Sequence, residues 1–273
     1  MKRRYPANFL IGAGLAGLVI LVAAISLVWT PHPYAEIDVA RRFQSASVEF
    51  WLGTDNLGRD IFSQLMVGAR SSMLIAFSAV LLGGSIGVLL GLTAASAGGV
   101  TEDAIMRLAD FSLAFPAILF AMMLAALFGP SLANTVIAIS FINIPVFTRV
   151  VRSAALQVQS QDFILAARAA SRGPVGIVRD HVIPNILPAI TVLATIEFAI
   201  AILVEAALSY LGLGVQLPTP SWGRMLSQAQ TLLYLAPQLA IYPGLCITIA
   251  VLGFNMLGDG LRDITDPRLA KER

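Results

Sequence analysis

Six apolar runs, at 9–29, 73–97, 111–128, 132–151, 186–211 and 239–257, dominate this chain of 273 residues. Each is close to the roughly 20 residues that an α-helix needs to cross a bilayer. In lipid every backbone N–H and C=O must be bonded within the segment, so runs of this kind fold as helices. With 57% hydrophobic and 12% charged residues and a mean hydropathy of +0.81, the chain is far too apolar for a soluble domain. The expected fold class is all-α integral membrane, with six transmembrane helices. The first run follows Met1-Lys2-Arg3-Arg4, and at 21 residues it exceeds the about 7–15 of a signal core. It is read as a retained helix.

The charges orient these helices. With the amino terminus in the cytoplasm, thirteen of the 18 Lys and Arg fall inside, and Arg41, Arg42, Arg59, Arg70 and Arg224 fall outside. That asymmetry satisfies the positive-inside rule and makes both termini cytoplasmic. A net charge of +2 gives no basic surface for nucleic acid. Lysine occurs only at 2 and 271, so the chain has no phosphate loop of the Gly-x-x-x-x-Gly-Lys type and no ATPase site of its own. His32 and His181 fall on opposite sides, and Cys246 is the single cysteine; neither a metal site nor a disulfide is expected. No catalytic set and no cofactor emerge.

The most distinctive polar stretch runs from 162 to 188. Ala166, Ala167, Ala169 and Ala170 combine high helix propensity with short side chains, so this helix can lie close against another surface. Gly173-Pro174 ends it. A second short helical run over 175–182 carries Arg179, Asp180 and His181, and Pro184 disfavours an unbroken passage into the next span. The expectation is a compact elbow on the cytoplasmic side, with His181 a helix-end or interface residue rather than a base.

Elsewhere the residues specify local geometry. Leu52-Gly-Thr-Asp-Asn-Leu-Gly-Arg-Asp60 reads as a tight turn, with Asp60 opening a helix; its acidic spacing does not match a calcium loop. Gly83, Gly87 and Gly91 form a small-xxx-small face for a neighbouring helix. Thr101 with Glu102 and Asp103 reads as a helix start, and Arg107 and Asp110 are spaced to pair. Gly129-Pro130-Ser131 makes the flanking spans antiparallel neighbours, and Pro145 is expected to kink the fourth. Trp222 suits the headgroup layer, and Asp259 and Arg262 are spaced to pair. Glu197 and Glu205 fall eight residues apart on one face of the fifth span. Intramembrane carboxylates mark functional or paired positions. Glu197 is taken as a candidate for the translocation path, and Glu205, placed near the outer end within reach of water or a partner, as structural.

Ala166-Ala-Arg-Ala-Ala170 with His181-x-x-Pro184-Asn185 resembles the cytoplasmic coupling motif of binding-protein-dependent ABC importer permeases. The likeness extends through Leu52–Asp60, Glu205-Ala-x-Leu-Ser-Tyr-Leu-Gly-Leu-Gly214, Pro218-x-Pro-Ser-Trp-Gly223 and Gly258-Asp-Gly-Leu-Arg-Asp-x-x-Asp-Pro-Arg268. Together these motifs resemble the dipeptide, oligopeptide and nickel subfamily, specifically its second permease subunit.

That resemblance implies a type I ABC importer permease fold in the bacterial inner membrane. It divides the chain into a first helix plus extracytoplasmic segment at 1–70, a type-1 transmembrane domain at 71–260 and a cytoplasmic tail at 261–273. It implies a heterodimer with a second homologous permease, two cytoplasmic ABC ATPase subunits and an extracytoplasmic substrate-binding protein. It also implies an ATPase-coupling set of Leu165, Ala166, Ala167, Arg168, Ala169, Ala170, Ser171, Arg172, Gly173, His181 and Pro184. Two positions depart from the motif: Leu165 stands where the family usually has Glu, and Ser171 where it has Gly. Peptides are the leading cargo, with nickel or a nickel chelate as the alternative. An ion-coupled secondary transporter working through Glu197 is the rival from another class; it would be expected to show internal repeats, and no convincing repeat is present.

Overall fold

The computed structural model describes residues 6–265, and their regular structure is helical. The helices are α1 (Ala7–Ile25), α2 (Ile61–Ala97), α3 (Gly99–Ala114), α4 (Ala117–Phe128), α5 (Leu132–Gln159), α6 (Asp162–Ala169), α7 (Pro174–Ile177), α8 (Ile183–Tyr210), α9 (Trp222–Ala229) and α10 (Gln238–Thr265). Five helical stretches are long and apolar enough to cross a membrane, and the pair α3–α4, bent by 82°, makes a sixth if it is counted as one span. The bend falls where Pro116 pushes Phe115 out of the helical region, to φ −87° and ψ 121°. The third apolar run thus begins inside α3 and is broken, not straight. The amino-terminal basic cluster, Asp266-Pro-Arg268 and most of the tail lie outside the described residues.

α2 starts twelve residues ahead of its apolar run, at Ile61, and extends over 37 residues, about 55 Å at 1.5 Å per residue. Asp60 caps it, accepting from the Ser63 N–H at 2.9 Å, as the turn chemistry predicts. In the preceding turn Gly53 and Gly58 take φ of +79° and +77°. There Asp55 Oδ1 accepts from the N–H groups of Leu57 and Arg59 at 2.8 and 3.0 Å. Its Oδ2 accepts from Arg59 Nε at 2.7 Å and Gln64 Nε2 at 3.0 Å. The loop thereby satisfies the Asp55 carboxylate from its own backbone, Arg59 and Gln64, and leads into the first three turns of α2, which are almost wholly buried.

Small residues set the helix pairs. A Cβ at Gly87 would stand 2.6 Å from the Ile144 carbonyl oxygen and 2.5 Å from Phe147 Cβ, and Gly83 and Gly91 meet Ser140 and Thr148 as closely. The glycine face of α2 is therefore the seam with α5. A second seam, not anticipated from the sequence, joins α1 to α10: Gly12 faces the Leu257 backbone, Gly253 faces Ala16, and Gly260 faces Phe9. Pro145 lies inside α5, which continues as one element to Gln159. Between α3 and α5, Asp110 pairs with Arg149, not with Arg107 as its spacing suggests, and Glu102 pairs with Arg152.

The segment after α8 folds back over the bundle. Trp222 is 2% exposed, and its Nε1 donates to the Leu65 carbonyl at 3.1 Å. It belongs to the core and not to the headgroup layer, because Gly68 and Gly223 let its ring and α9 settle onto α2 and α8. Glu205 is fully buried, so neither water nor a partner reaches it. Its carboxylate accepts from Ser72 Oγ of α2 at 2.8 Å and from Ser209 Oγ at 2.7 Å, and the Ser221 hydroxyl is a third hydrogen-bonding neighbour.

Candidate functional site

The polar stretch at 162–188 folds as the expected elbow, but with one difference. α6 ends in a turn in which Ser171 N–H donates to the Arg168 carbonyl at 2.9 Å and Arg172 N–H to the Ala167 carbonyl at 3.1 Å. This six-to-one and five-to-two pattern needs a left-handed residue at its pivot. Ser171 supplies it, at φ +59°. Gly173 and Pro174 then start α7, which runs through a π-helical turn at Val178–Val182 directly into α8. Pro184 therefore does not break the helix. The Ile183 N–H bonds back to Val178 O, five residues earlier, and the widened turn relieves the clash that a proline ring makes with an α-helical carbonyl.

Two short arms at an angle would splay without packing of their own. Ile164 of α6, Ile177 of α7, Val182 of the π turn and Ile186 of α8 bury together with Leu92 and Ala95 of α2 and Val151 and Ala155 of α5. This second core, separate from the main one, seats the elbow on one end of the long helices α2, α5 and α8. Arg172 pairs with Asp180 across the arms, lying against Gly176. The Phe163 and His181 rings are 6.2 Å apart. Asn185 Nδ2 donates to the His181 carbonyl at 2.7 Å.

With the inner face so anchored, the outer face is a low ridge. Leu165, Ala166, Arg168, Ala169, Ala170, Ser171, Arg172 and Gly173 are exposed, and Ala167 is half-buried against the second core. His181 is half-buried and Pro184 exposed on the far arm. The structure brings all of these sequence-predicted residues into one projecting unit. Arg172 is committed to Asp180 within the chain, whereas Arg168 on α6 and Arg179 beside Asp180 are both exposed. Ile164, Ile177 and Val182 were missed as contributors. Ile164 lies between Phe163 and Leu165, and Ile177 beside Val178, so nothing in the local sequence singles them out as the buried members.

Glu197 stands apart from the elbow, sixteen residues beyond His181 along the same helical run, about 24 Å by helical rise. It is 6% exposed. An apolar groove of about 860 Å³ opens between α2 and α8, with Phe77, Val88, Ala194 and Phe198 among its walls, and Glu197 does not line it. Among the described residues no cluster of three or more His, Cys, Asp or Glu is placed to hold a metal ion.

Comparison with known proteins agrees with this geometry. The sequence matches, over residues 87–271, the family described as binding-protein-dependent transport system inner membrane component. It is 44% identical over 250 residues to the dipeptide transport system permease protein DppC of Alkalihalophilus pseudofirmus, covering 92% of this chain and 82% of that protein. It is 40% identical to the glutathione transport system permease protein GsiD of Pectobacterium atrosepticum, covering 93% and 86%. It is also 40% identical to the di/tripeptide transport system permease protein DppC of Pseudomonas aeruginosa, covering 95% and 88%. Among solved structures, the inward-facing MetNI methionine ABC transporter in its CY5 native crystal form shares the fold. The TM-score is 0.62 at 20% identity, covering 74% of this chain and 97% of that one. With a matched fold, a matched sequence over most of its length and a helical bundle built to span a bilayer, this chain belongs to the family of binding-protein-dependent transport system inner membrane components.

Proposed function

We propose that the chain is a permease subunit of an ATP-driven importer of di- and oligopeptides, and that the elbow is where ATPase motion enters it. It would pair with a second homologous permease to form the path, with two cytoplasmic ATPases beneath and an extracytoplasmic binding protein above. Both termini are cytoplasmic in this reading. The domain division at 1–70, 71–260 and 261–273 follows from it, as does a chain that supplies no ATPase chemistry of its own. The peptide cargo rests on the printed names of the relatives.

The observation that carries the reading is the two-sided elbow. Its alanine face permits close approach by a partner, and its aliphatic face is locked to α2, α5 and α8 through the second core. Force applied to α6 is passed through Ile164 and Ile177 to three long helices together. Packed cores respond as bistable bodies rather than by continuous deformation, so such a push tilts the bundle between two states.

Tryptophan at Ala170 or Ala166, both exposed, raises the ridge without touching the second core. The assembled transporter in proteoliposomes is expected to hydrolyse ATP but lose peptide uptake. Unchanged uptake by the double variant overturns the role of the elbow. Uptake by this polypeptide alone, driven by an ion gradient, would return the ion-coupled reading through Glu197.

A further inference from the structure

Between α1, α2 and α10 lies an apolar pocket of about 270 Å³ that the elbow mechanism does not use. Ala69 and Trp222 in its wall are buried, whereas Leu18 of α1 and Leu245 of α10, also in its wall, are 52% and 53% exposed. The pocket therefore opens sideways, onto the apolar flank of the bundle. The ring N–H of Trp222 is spent on the Leu65 carbonyl, so the walls offer water little to bind, and an apolar recess of this size stays dry. Left empty, it forfeits dispersion contacts along every wall.

The depth of the pocket in the bilayer follows from α1. Its 19 residues rise about 28 Å, close to the roughly 30 Å of hydrocarbon in a membrane, so its ends mark the two boundaries. Leu18 and Val22 of the pocket wall lie in the half that ends at Ile25. Aromatic rings mark the same boundary. Trp29 and Trp51, both half-exposed, stand 6.5 Å apart, and Trp51 stands 5.0 Å from Phe62 of the pocket wall. Tryptophan settles at headgroup depth, and the pocket runs from there into one leaflet. The close α1–α10 seam at Gly12, Gly253 and Gly260 occupies the other half of these helices.

A cation stands beside the headgroup end. Arg70 Nη1 donates to the Ser26 carbonyl at 3.2 Å, and the Ser26 N–H bonds to the carbonyl of Val22 in the pocket wall at 3.0 Å. Arg41 and Arg59, at the same end of the bundle, are paired with carboxylates. Arg70 has no carboxylate partner among the described residues. One bond to a carbonyl leaves its other N–H groups for a second acceptor, and a phosphate takes two at once.

We infer that this is a binding site for a membrane phospholipid, with one acyl chain filling the pocket and the phosphate resting on Arg70. A free phosphate would satisfy Arg70 and leave the pocket empty. A neighbouring helix, about 10 Å across, would cover the mouth and leave the depth unfilled. A linear hydrocarbon chain carrying a phosphate meets both needs, and it joins α1 to α2 where the glycine seam no longer holds α1 in place. The inference depends on the membrane setting of the bundle, not on its cargo or on the elbow.

The test uses the complete transporter in nanodiscs containing a phosphatidylglycerol with a diazirine in mid-chain. After irradiation, adducts are expected on the peptides holding 18–22 and 245–249, and the detergent-purified complex is expected to retain this lipid by mass spectrometry. Cys246→Phe, which grows a ring into the pocket, is expected to remove those adducts while labelling elsewhere on the bundle persists. Should that variant not fold, Val22→Phe fills the pocket from the opposite wall. Arg70→Gln is expected to lower the retained lipid about tenfold, and Arg70→Lys to restore much of it.

Adducts spread evenly along the bundle and unmoved by the filling variant would mean an ordinary lipid shell and overturn the inference. Retention in Arg70→Gln equal to that of the unaltered protein overturns it as well. So does lipid displaced by inorganic phosphate, which would assign Arg70 to the free anion, or a cross-link from Cys246 to a second subunit, which would make the pocket a protein contact. Transport is measured in none of these arms, so the importer reading stands or falls separately.

Discussion

Arg172 and Asp180 form an ion pair that ties the end of α6 to the π turn ahead of α8. The pair closes the elbow over Gly176, where a Cβ would come within 3.2 Å of Arg172 Nε. Both side chains are substantially exposed, so their value lies in holding an angle more than in stabilising the fold. Asp180→Asn is expected to leave thermal unfolding nearly unchanged and to lower the peptide imported per ATP hydrolysed. The charge swap Arg172→Asp with Asp180→Arg is expected to restore that ratio. Equal ratios in all three proteins would exclude a strut role for the pair.

Ser171 occupies a left-handed pivot, and its position is the one where the family motif carries glycine. A non-glycine residue there is strained by about 1 kcal/mol. Ser171→Gly is expected to raise the unfolding temperature of the detergent-solubilised protein by a degree or two, and Ser171→Val to lower it by more. A destabilised glycine variant would show that the serine side chain contributes something the backbone does not explain.

The α2–α5 seam has no room for side chains. Gly87→Leu would drive its Cβ into the Ile144 carbonyl and Phe147, an overpacking penalty of about 3 kcal/mol or more where backbone is the obstacle. Loss of folded, monodisperse protein on size-exclusion chromatography is expected. Gly14→Leu is the control, since nothing lies within 4 Å of a Cβ there, and it is expected to purify normally.

Glu205 joins α2, α8 and the start of α9 through serine hydroxyls. Removing the carboxyl with Glu205→Ala strands Ser72 and Ser209 in a sealed site, a loss of about 1–3 kcal/mol for each unmet group. Glu205→Gln keeps an acceptor and is expected to recover most of that loss in a thermal unfolding series. Equal stability of the alanine and glutamine variants would mean that hydrogen bonding is not what holds this junction.

Much of this molecule was readable from residues alone, because the bilayer leaves few choices. Runs of about 20 apolar residues can only be helices there, and the glycine triplet at 83, 87 and 91 announced a close neighbour. The alanine ridge, the cap at Asp60 and the turn glycines at 53 and 58 were equally local, each a matter of propensity or backbone geometry within a few residues. Five motifs in sequence order were enough to suggest the family.

Longer-range matters were settled by tertiary packing. Pro184 was expected to interrupt the helix, but the π turn before it accommodates the ring, and no neighbour rule anticipates that. Asp110 lies three residues from Arg107, yet it pairs with Arg149 because α5 brings a guanidinium alongside. Trp222 was assigned to the headgroup layer and lies in the core, since Gly68, more than 150 residues earlier in the chain, leaves space for its ring. Sequence spacing determines what a helix can present, one turn at a time. Which partner meets that face depends on how distant helices pack, and that decided where Asp110, Glu205 and Trp222 came to rest.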